Sequence, residues 1–258
     1  SSATWITLSQ KSKSRRRLTI RIKMRQFVLL LVVVAAVLGQ ETEKIDSSDS
    51  TISTDRDRLL ENLFAKYNKR NYPDKSTVQF GLNLVTVDQD REKDLLNSDV
   101  WLKISWTDNR LTWDPADYGG LQNMRITPDQ LWLPDTTLFN GPAMQCTPTN
   151  AILYPNGKVL WVPPCKLTSY CNFTKDATAE QECVVNFGSW TFDGLTMGLE
   201  FFEKENKADI SYFQGQRYKV TKNEAIREEK FYPCCVEPYL NLKFTLGLAP
   251  TTKKGIAP

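Results

Sequence analysis

Apolar residues recur at helical spacing in one short segment of the chain. Side chains three and four positions apart share a helix face, so these residues would form one buried stripe: Leu59, Leu60, Leu63, Phe64 and Tyr67. Ser53 or Thr54 precedes the stripe and can cap a helix N-terminus. Pro73 prevents a long extension, so the pattern predicts one helix from residue 54 to about residue 70.

After this segment the apolar positions change to a period of two, which is typical of half-buried strands. The clearest alternations are Val78, Phe80, Leu82 and Leu84, and then Val100, Leu102, Ile104 and Trp106. Further runs that indicate strands cover residues 151–154, 158–162, 184–190, 195–203 and 239–246. One helix followed by many short antiparallel strands predicts an all-β fold, a β-sandwich, without a second domain or an internal repeat.

Trp101 is an exception within the second of these strands. If the even-numbered positions face the core, Trp101 faces outward beside Lys103 and Ser105. An outward tryptophan is either a partly covered surface aromatic or a contact to a ligand or a partner, since tryptophan is favoured at interfaces. The pattern alone leaves both interpretations open.

The N-terminal region has the layout of a secretory leader. Met24 is followed by a basic residue, an apolar run from Phe27 to Leu38 and the small residue Gly39. We therefore interpret residues 1–23 as an upstream extension or non-native leader and residues 24–40 as a signal peptide. The alternative is a cytosolic basic tail beside a buried strand. Residues 41–53 are polar and acidic, which indicates a flexible lead-in.

Removing this leader changes the predicted charge. The full chain carries 33 basic and 30 acidic residues, and the first forty residues hold eight of the basic ones and none of the acidic ones. The remaining domain would therefore carry −5 instead of +3, which argues against a nucleic-acid partner and mildly favours cationic ligands. No later run approaches ~18 apolar residues, so we expect a secreted, extracellular protein with no membrane span in this chain.

Secretion predicts that the six cysteines form three disulfides. Cys171 and Cys183 bracket a short polar loop, and Cys146 and Cys165 flank an Asn-Gly hairpin turn about two residues from direct opposition. Cys234 and Cys235 are neighbours, so a bond between them is strained and each could pair elsewhere. By elimination, we predict Cys171–Cys183, Cys146–Cys165 and Cys234–Cys235.

The chain contains no histidine, which removes Ser-His-Asp catalysis, histidine-assisted cysteine chemistry and most catalytic zinc sites. Glu203 and Glu205 leave a two-carboxylate glycosidase formally open, although such a pair more often forms a solvated face. We therefore expect no enzyme, no metal and no cofactor. Aromatic residues are the available chemistry: Trp101, Trp190, Tyr232 and Tyr239 could bind a cation on their ring faces, or could simply pack.

Four motifs in the same order resemble nicotinic-type Cys-loop receptors and the related acetylcholine-binding proteins. They are WLKISWTDNRLTWDPADYGG at 101–120, WLPD with LFN at 132–140, FGSWTFDG at 187–194 and YPCCVEPY at 232–239. The likeness covers essentially the whole predicted domain at 54–250. It implies a ten-stranded β-sandwich of the Cys-loop receptor ligand-binding type with an N-terminal α-helix, assembled as a ring of five.

The resemblance also implies a site for a small cationic ligand, such as acetylcholine or a nicotine-like compound, between neighbouring subunits. Its principal face would consist of Phe139, Trp190, Tyr232, Cys234, Cys235 and Tyr239. Its complementary face would consist of Trp101, Ile152, Leu160 and Val162. Because each chain carries both faces, a homopentamer is feasible, and the outward position of Trp101 is explained.

The chain departs from the receptor pattern in several places. The loop between Cys171 and Cys183 lacks the apolar F-P-F-D centre, and residues 251–258 form a predicted flexible tail without a lead into a membrane helix. Both features resemble secreted acetylcholine-binding proteins. Phe139 stands where the family usually has tyrosine, and the Cys146–Cys165 pair is an addition. Asn172 begins a glycosylation sequon that is either used or unused.

We therefore expect a secreted, soluble, pentameric binding protein for cationic cholinergic ligands. One alternative is the extracellular domain of a nicotinic-type channel subunit truncated before its membrane helices. Another is a non-cholinergic adhesion or glycan-binding sandwich.

Overall fold

The computed structural model describes residues 47–74 and 76–251, with side chains from residue 54 onward. The chain divides into two compact units, residues 1–50 and 51–258, and the account below concerns the second. The predicted leader and signal peptide, and the tail beyond residue 251, lie outside the described residues. No helix in the described ranges is long and apolar enough to cross a membrane.

The described residues form one α-helix followed by twelve strands. In chain order they are α1 (Ser47–Phe64), β1 (Thr77–Asp90), β2 (Leu95–Thr107), β3 (Met124–Ile126), β4 (Thr136–Leu138), β5 (Ala143–Cys146), β6 (Ala151–Leu153), β7 (Lys158–Trp161), β8 (Pro164–Tyr170), β9 (Gln181–Ser189), β10 (Gly198–Phe201), β11 (Tyr218–Lys230) and β12 (Tyr239–Pro250). Short 3-10 helices cover Pro115–Tyr118, Pro128–Gln130 and Phe202–Lys204.

The strands form two sheets. The larger sheet has eight strands in the order β10-β1-β2-β7-β6-β3, with β8 also paired to β2 and β5 paired to β8. The smaller sheet has the order β11-β12-β9-β4. Rings from both sheets meet between them: the centroid of Phe80 in β1 lies 4.7 Å from that of Phe187 in β9, and Phe244 in β12 packs against both. The predicted all-β sandwich with an N-terminal helix is confirmed.

The strand count is twelve in the described chain, not the predicted ten. One reason lies at Pro163 and Pro164, which divide a single extended run into β7 and β8. Proline has no amide hydrogen to donate to a sheet ladder, so pairing is interrupted there. Both strands nevertheless pair with β2, β7 along Ile104–Thr107 and β8 along Leu95–Trp101.

The helix boundaries also differ from the prediction. Residues 47–53, predicted as part of a flexible lead-in, belong to the helix. Several Ser, Thr and Asp residues between 47 and 54 could each cap the helix, and a local signal cannot choose between them. The helix ends at Phe64 instead of about residue 70. Its predicted apolar face is correct, with Leu59 and Leu63 buried in the core.

Candidate functional site

Strand register places the predicted residue Tyr239 beside polar and charged residues on the outward face of the smaller sheet. Asn241 in β12 lies opposite both Gly188 in β9 and Glu228 in β11. Lys230 lies opposite Tyr239, and Lys243 lies opposite Asn186. Since alternate residues of a strand point to the same face, these residues form three adjoining rows on one surface, along β11, β12 and β9. The neighbouring positions Phe187, Leu242 and Phe244 point into the core.

A cavity of about 440 Å³ opens on this surface and brings four predicted aromatic residues together. Its lining consists of Phe139, Asn186, Ser189, Trp190, Glu228, Lys230, Tyr232, Tyr239, Asn241 and Lys243. The rings form two edge-on pairs: Phe139 and Trp190 have centroids 6.0 Å apart, and Tyr232 and Tyr239 have centroids 5.4 Å apart. Trp190 is 72% exposed, so its ring face is available to a ligand.

Gly188 allows Phe139 to lie flat against the strand. A Cβ atom at position 188 would lie 2.8 Å from Cζ of Phe139 and 2.9 Å from Oδ1 of Asn241. Real Cβ atoms do not make such contacts, so the missing side chain is what places this ring and this amide side by side. The Phe139 amide donates to the Asn186 carbonyl oxygen at 2.8 Å, which anchors the backbone at the same level of the sheet.

Two acceptor oxygens in this cavity have no hydrogen-bond partner among the described residues. They are Oδ1 of Asn186 and Oδ1 of Asn241. Asn241 is only 5% exposed, so its oxygen is removed from bulk water. A buried acceptor without a donor is costly. The cavity floor therefore offers places for hydrogen-bond donors from water, a ligand or a substituted side chain.

Asp135 fixes the turn that carries Trp190. Its carboxylate accepts hydrogen bonds from the Ser189 hydroxyl at 2.5 Å, from the Thr191 amide at 2.7 Å and from the Thr191 hydroxyl at 2.6 Å. The Ser189 hydroxyl oxygen in turn accepts from the Phe192 amide at 2.8 Å. Residues on both sides of Trp190 are thus held by one carboxylate, which orients an otherwise exposed ring.

The predicted vicinal disulfide lies on the loop that connects β11 to β12. Cys234 and Cys235 are bonded to each other, and the Cys235 amide donates to the Tyr232 carbonyl oxygen at 3.1 Å. Tyr232 and Tyr239 lie at the two ends of this loop and line the cavity, whereas neither cysteine belongs to its lining. The disulfide therefore lies on the loop between two cavity-lining tyrosines and outside the lining itself.

Charged side chains border the aromatic rings. The Lys243 ammonium pairs with the Glu228 carboxylate at 2.7 Å. The Lys230 ammonium lies 4.8 Å from the centroid of the Tyr232 ring, which is a cation–π distance. The cavity thus already contains one cation on one of the predicted ligand-binding rings.

The predicted complementary residues lie on the outward face of the larger sheet. Val100 and Leu102 are buried in the core and Trp101 between them points away from it, which confirms the outward position inferred from alternation. Ile152 and Leu160 are opposite each other in the β6–β7 hairpin, and Leu160 is also opposite Ser105 of β2. Val162 follows two positions after Leu160 and is half-buried. All four therefore share one face, which the aromatic cavity does not adjoin.

A neighbouring loop covers part of Trp101. The Tyr212 ring packs on it with centroids 4.9 Å apart. This loop is held by Asp209, whose carboxylate accepts from the Ser211 amide at 2.9 Å and pairs with the Lys103 ammonium at 3.0 Å. Hydrogen bonds from Ser211 and the Lys103 charge lower the pKa of Asp209 from 3.8 to about 2.

The other two disulfides form as predicted, but Cys146 and Cys165 are brought together by a different strand pairing from the one expected. Cys171 is bonded to Cys183 and Cys146 to Cys165. We expected Cys146 and Cys165 to be offset by about two residues across a hairpin. They are direct partners on β5 and β8, with Cα atoms 4.0 Å apart. A second cavity, of about 430 Å³, lies beside this disulfide and is lined also by Trp101.

Several residues that line or support the aromatic cavity were not identified from the sequence: Asp135, Asn186, Gly188, Glu228, Lys230, Asn241 and Lys243. Asp135 and Gly188 lie within the motifs WLPD and FGSW, which was the available signal. The others depend on which strands pair and in what register, and no local pattern carries that information. Asn172, the predicted glycosylation position, is exposed in the loop closed by Cys171 and Cys183.

Comparisons with known proteins agree with this fold. The neurotransmitter-gated ion-channel ligand binding domain family matches residues 56–249. Acetylcholine receptor subunit alpha-like 2 of Drosophila melanogaster is 34% identical over 221 residues, and acetylcholine receptor subunit alpha-L1 of Schistocerca gregaria is 34% identical over 220. Both matches cover 77% of this chain, which spans 38% and 39% of the two receptor subunits.

A solved structure shares the fold. It is the Capitella teleta AChBP in complex with lobeline, which is 30% identical to this chain with a TM-score of 0.67. The match covers 75% of this chain and 96% of that one.

Proposed function

Because the chain belongs to the neurotransmitter-gated ion-channel ligand-binding domain family, we propose that it binds small cationic cholinergic ligands. The family consists of ligand-binding domains and not of enzymes. The observation that carries the proposal is the convergence of four aromatic rings, Phe139, Trp190, Tyr232 and Tyr239, on one cavity. Ring faces attract ammonium groups, and several rings around one site are a common way to bind a quaternary ammonium ion.

The complete site lies between two copies of the chain. The aromatic cavity opens on the outward face of the smaller sheet, whereas Trp101 and the β6–β7 hairpin lie on the outward face of the larger one. Packed sheets are about 10 Å apart, with their outward faces on opposite sides of the core. A single copy therefore cannot close Trp101 over Trp190. A neighbouring copy supplies it, and closed repetition of this contact gives a ring, for which we propose five members.

Within this site each element has one task. Trp190 faces the ammonium group, Tyr232 and Tyr239 flank it, and the Cys234–Cys235 loop closes over it. The neighbouring copy supplies an apolar wall for the uncharged part of the ligand, formed by Trp101, Ile152, Leu160 and Val162. We propose that the protein is secreted and acts without a reaction step, through binding alone.

The test is a calorimetric titration of size-fractionated protein with acetylcholine and nicotine. We expect saturable binding to a species of five chains, and Trp190→Ala should weaken it by more than about 1 kcal/mol because the ring facing the charge is removed. Tyr170→Ala is the matched control, since Tyr170 is 58% exposed and lies outside the cavity. A folded protein that binds neither compound, or binds equally well without Trp190, would contradict the proposal.

A second candidate is the extracellular domain of a ligand-gated channel subunit. The two receptor subunits reported above are more than twice the length that this chain spans. The native transcript distinguishes the two, because a channel subunit would encode runs of ~20 apolar residues after residue 258.

A further inference from the structure

The charges around the aromatic cavity are unexpected for a site that binds cations. Three charged side chains line it: Glu228 is negative, and Lys230 and Lys243 are positive, which leaves a net charge of +1. A like charge near a bound ammonium ion disfavours binding. The net positive charge of the cavity therefore needs an explanation beyond cation binding by the aromatic rings.

The positive charge of Lys243 is balanced by its ion-pair partner, Glu228. Its ammonium group lies 2.7 Å from the Glu228 carboxylate, so the two charges largely cancel. Lys230 differs. In the described part of the chain, no carboxylate lies within 4.0 Å of its ammonium group. The net positive charge of the cavity is thus the charge of Lys230.

The Lys230 ammonium lies on a predicted ligand-binding ring. It is 4.8 Å from the centroid of Tyr232, and Lys230 is the direct cross-strand partner of Tyr239. The two tyrosine rings contact each other edge to face at 5.4 Å. Lys230 therefore occupies one ring, Tyr232, of the pair that an incoming ammonium group would use. Its exposed, flexible stem allows the group to withdraw into solvent.

We infer that Lys230 is a tethered competitor for the cation site: its ammonium group occupies the Tyr232 ring until a ligand displaces it. This inference rests on the proposed function of the same cavity. Because the competitor is attached to the protein, its effective concentration is on the order of millimolar or higher and does not change on dilution.

The competitor determines which ligands bind well. A bare ammonium ion gains only what Lys230 already gains on the ring, so its net affinity is low. A ligand that adds apolar contacts with Trp190 and the neighbouring copy has additional free energy available to displace the lysine. Lys230 therefore lowers the affinity of every cation by the same factor, and only ligands with these additional contacts stay tightly bound.

The experiment compares four proteins by calorimetry with acetylcholine. Lys230→Gln removes the competing charge and should raise affinity about two- to fivefold, since exposed cation–π contacts have that magnitude. Lys230→Arg keeps a cation on the ring and should retain the wild-type affinity. Lys219→Gln is the control for net charge, because Lys219 is exposed on the same strand near its other end.

Two further measurements distinguish competition on the ring from general repulsion. The first uses 3,3-dimethylbutyl acetate, the uncharged carbon analogue of acetylcholine. Its affinity should also rise in Lys230→Gln, because it too must displace the lysine from the ring, whereas general repulsion would leave its affinity unchanged. The second is a double-mutant cycle. Tyr232→Ala should weaken acetylcholine binding more in the Lys230→Gln background than in wild type, because only there is the ring fully available.

The outcomes separate the inference from the proposed function. If neither wild type nor Lys230→Gln binds acetylcholine, the proposed function fails and the inference with it. If wild type binds but Lys230→Gln binds equally or more weakly, only the inference fails. Additive effects in the cycle, or an equal gain from Lys219→Gln, would also overturn it.

Discussion

The ring of Phe139 occupies the space where residue 188 would carry its side chain if it were not glycine. We predict that Gly188→Ala displaces this ring, because the new Cβ atom would lie 2.8 Å from Cζ. Overpacking of this kind costs about 1–3 kcal/mol in the free energy of unfolding. Chemical denaturation should show this loss, and acetylcholine binding should weaken as the ring moves.

A second substitution identifies the cause. Phe139→Ala removes the ring that the new Cβ atom would meet. The destabilisation by Gly188→Ala should therefore shrink in the Phe139→Ala background. Equal destabilisation in both backgrounds would place the conflict at Asn241, whose Oδ1 lies 2.9 Å from the same point.

The contact of Trp101 with Tyr212 leads to a prediction for the complementary face. Trp101→Ala should weaken acetylcholine binding by at least about 1 kcal/mol while the fold remains intact, as is common for an interface aromatic. Tyr212→Ala should weaken it less, because the ring of Trp101 loses its support but is retained. Titration and circular dichroism test both variants. Unchanged binding in Trp101→Ala would show that the site lies elsewhere.

The ionised carboxylate of Asp209, which holds the loop beside Trp101, should make the stability of the fold depend on pH. Its pKa is lowered from 3.8 to about 2, so the folded state favours the ionised carboxylate. Its contribution to stability is therefore present above about pH 4 and is lost as the pH falls toward 2. Asp209→Asn should lower the free energy of unfolding by up to about 1 kcal/mol at pH 7, with the difference disappearing near pH 2.

Denaturant unfolding at several pH values tests this expectation. Asp88→Asn is the control, because Asp88 and its partner Arg217 are both more than half exposed and their ion pair should contribute less. A difference between Asp209→Asn and wild type that stayed constant from pH 7 to pH 2 would contradict the assignment.

Removal of the Cys146–Cys165 disulfide and removal of the Cys234–Cys235 disulfide should affect stability and ligand binding differently. Replacing both Cys146 and Cys165 with serine opens a loop of sequence separation 19 and should cost about 3 kcal/mol of stability. The same double substitution at Cys234 and Cys235 opens almost no loop, so stability should hardly change while ligand binding weakens.

Peptide mapping without reduction should recover all three pairs. A peptide joining Cys234 or Cys235 to another cysteine would refute the capping loop.

The parts of this molecule that depend on local pattern were predictable. Alternation alone placed Trp101 outward and Val100 and Leu102 inward. The helix end was not predictable, because Tyr67 fits the helical stripe but instead makes tertiary contacts. Its hydroxyl donates to the Asp108 carboxylate at 3.0 Å and accepts from the Trp132 amide at 2.9 Å. Such partners are distant in sequence and leave no periodic signal.

The candidate site was likewise predictable only in part: residues in distinctive motifs could be identified, and residues placed by strand pairing could not. Motif resemblance supplied Trp190, Tyr232 and Tyr239, because their sequence neighbourhoods are distinctive. Lys230 and Asn241 reach the cavity only through the register of β11, β12 and β9. A shift of one residue in that register would send both side chains to the core face. The charge of the site therefore could not be derived without the strand pairing.

Phe139 provides the last prediction, since the cavity holds unused acceptors close to its ring. Cζ of Phe139 and Oδ1 of Asn241 lie 2.8 Å and 2.9 Å from one common point above Gly188. That oxygen is buried and has no donor among the described residues. In Phe139→Tyr the new hydroxyl extends from Cζ, and we predict that it donates to this oxygen. The ring then becomes fixed by a hydrogen bond without losing its attraction for a cation.

One neutral hydrogen bond contributes about 0.5–1.5 kcal/mol, so Phe139→Tyr should tighten acetylcholine binding about two- to tenfold. Calorimetric titration of the assembled protein measures this change. Asn241→Leu removes the acceptor, and in that background the tyrosine should give no gain. Unchanged or weaker binding in Phe139→Tyr, with the assembly intact, would mean that the cavity is built around phenylalanine. In that case the natural ligand need not be acetylcholine, because a different group would have to satisfy the Asn241 oxygen.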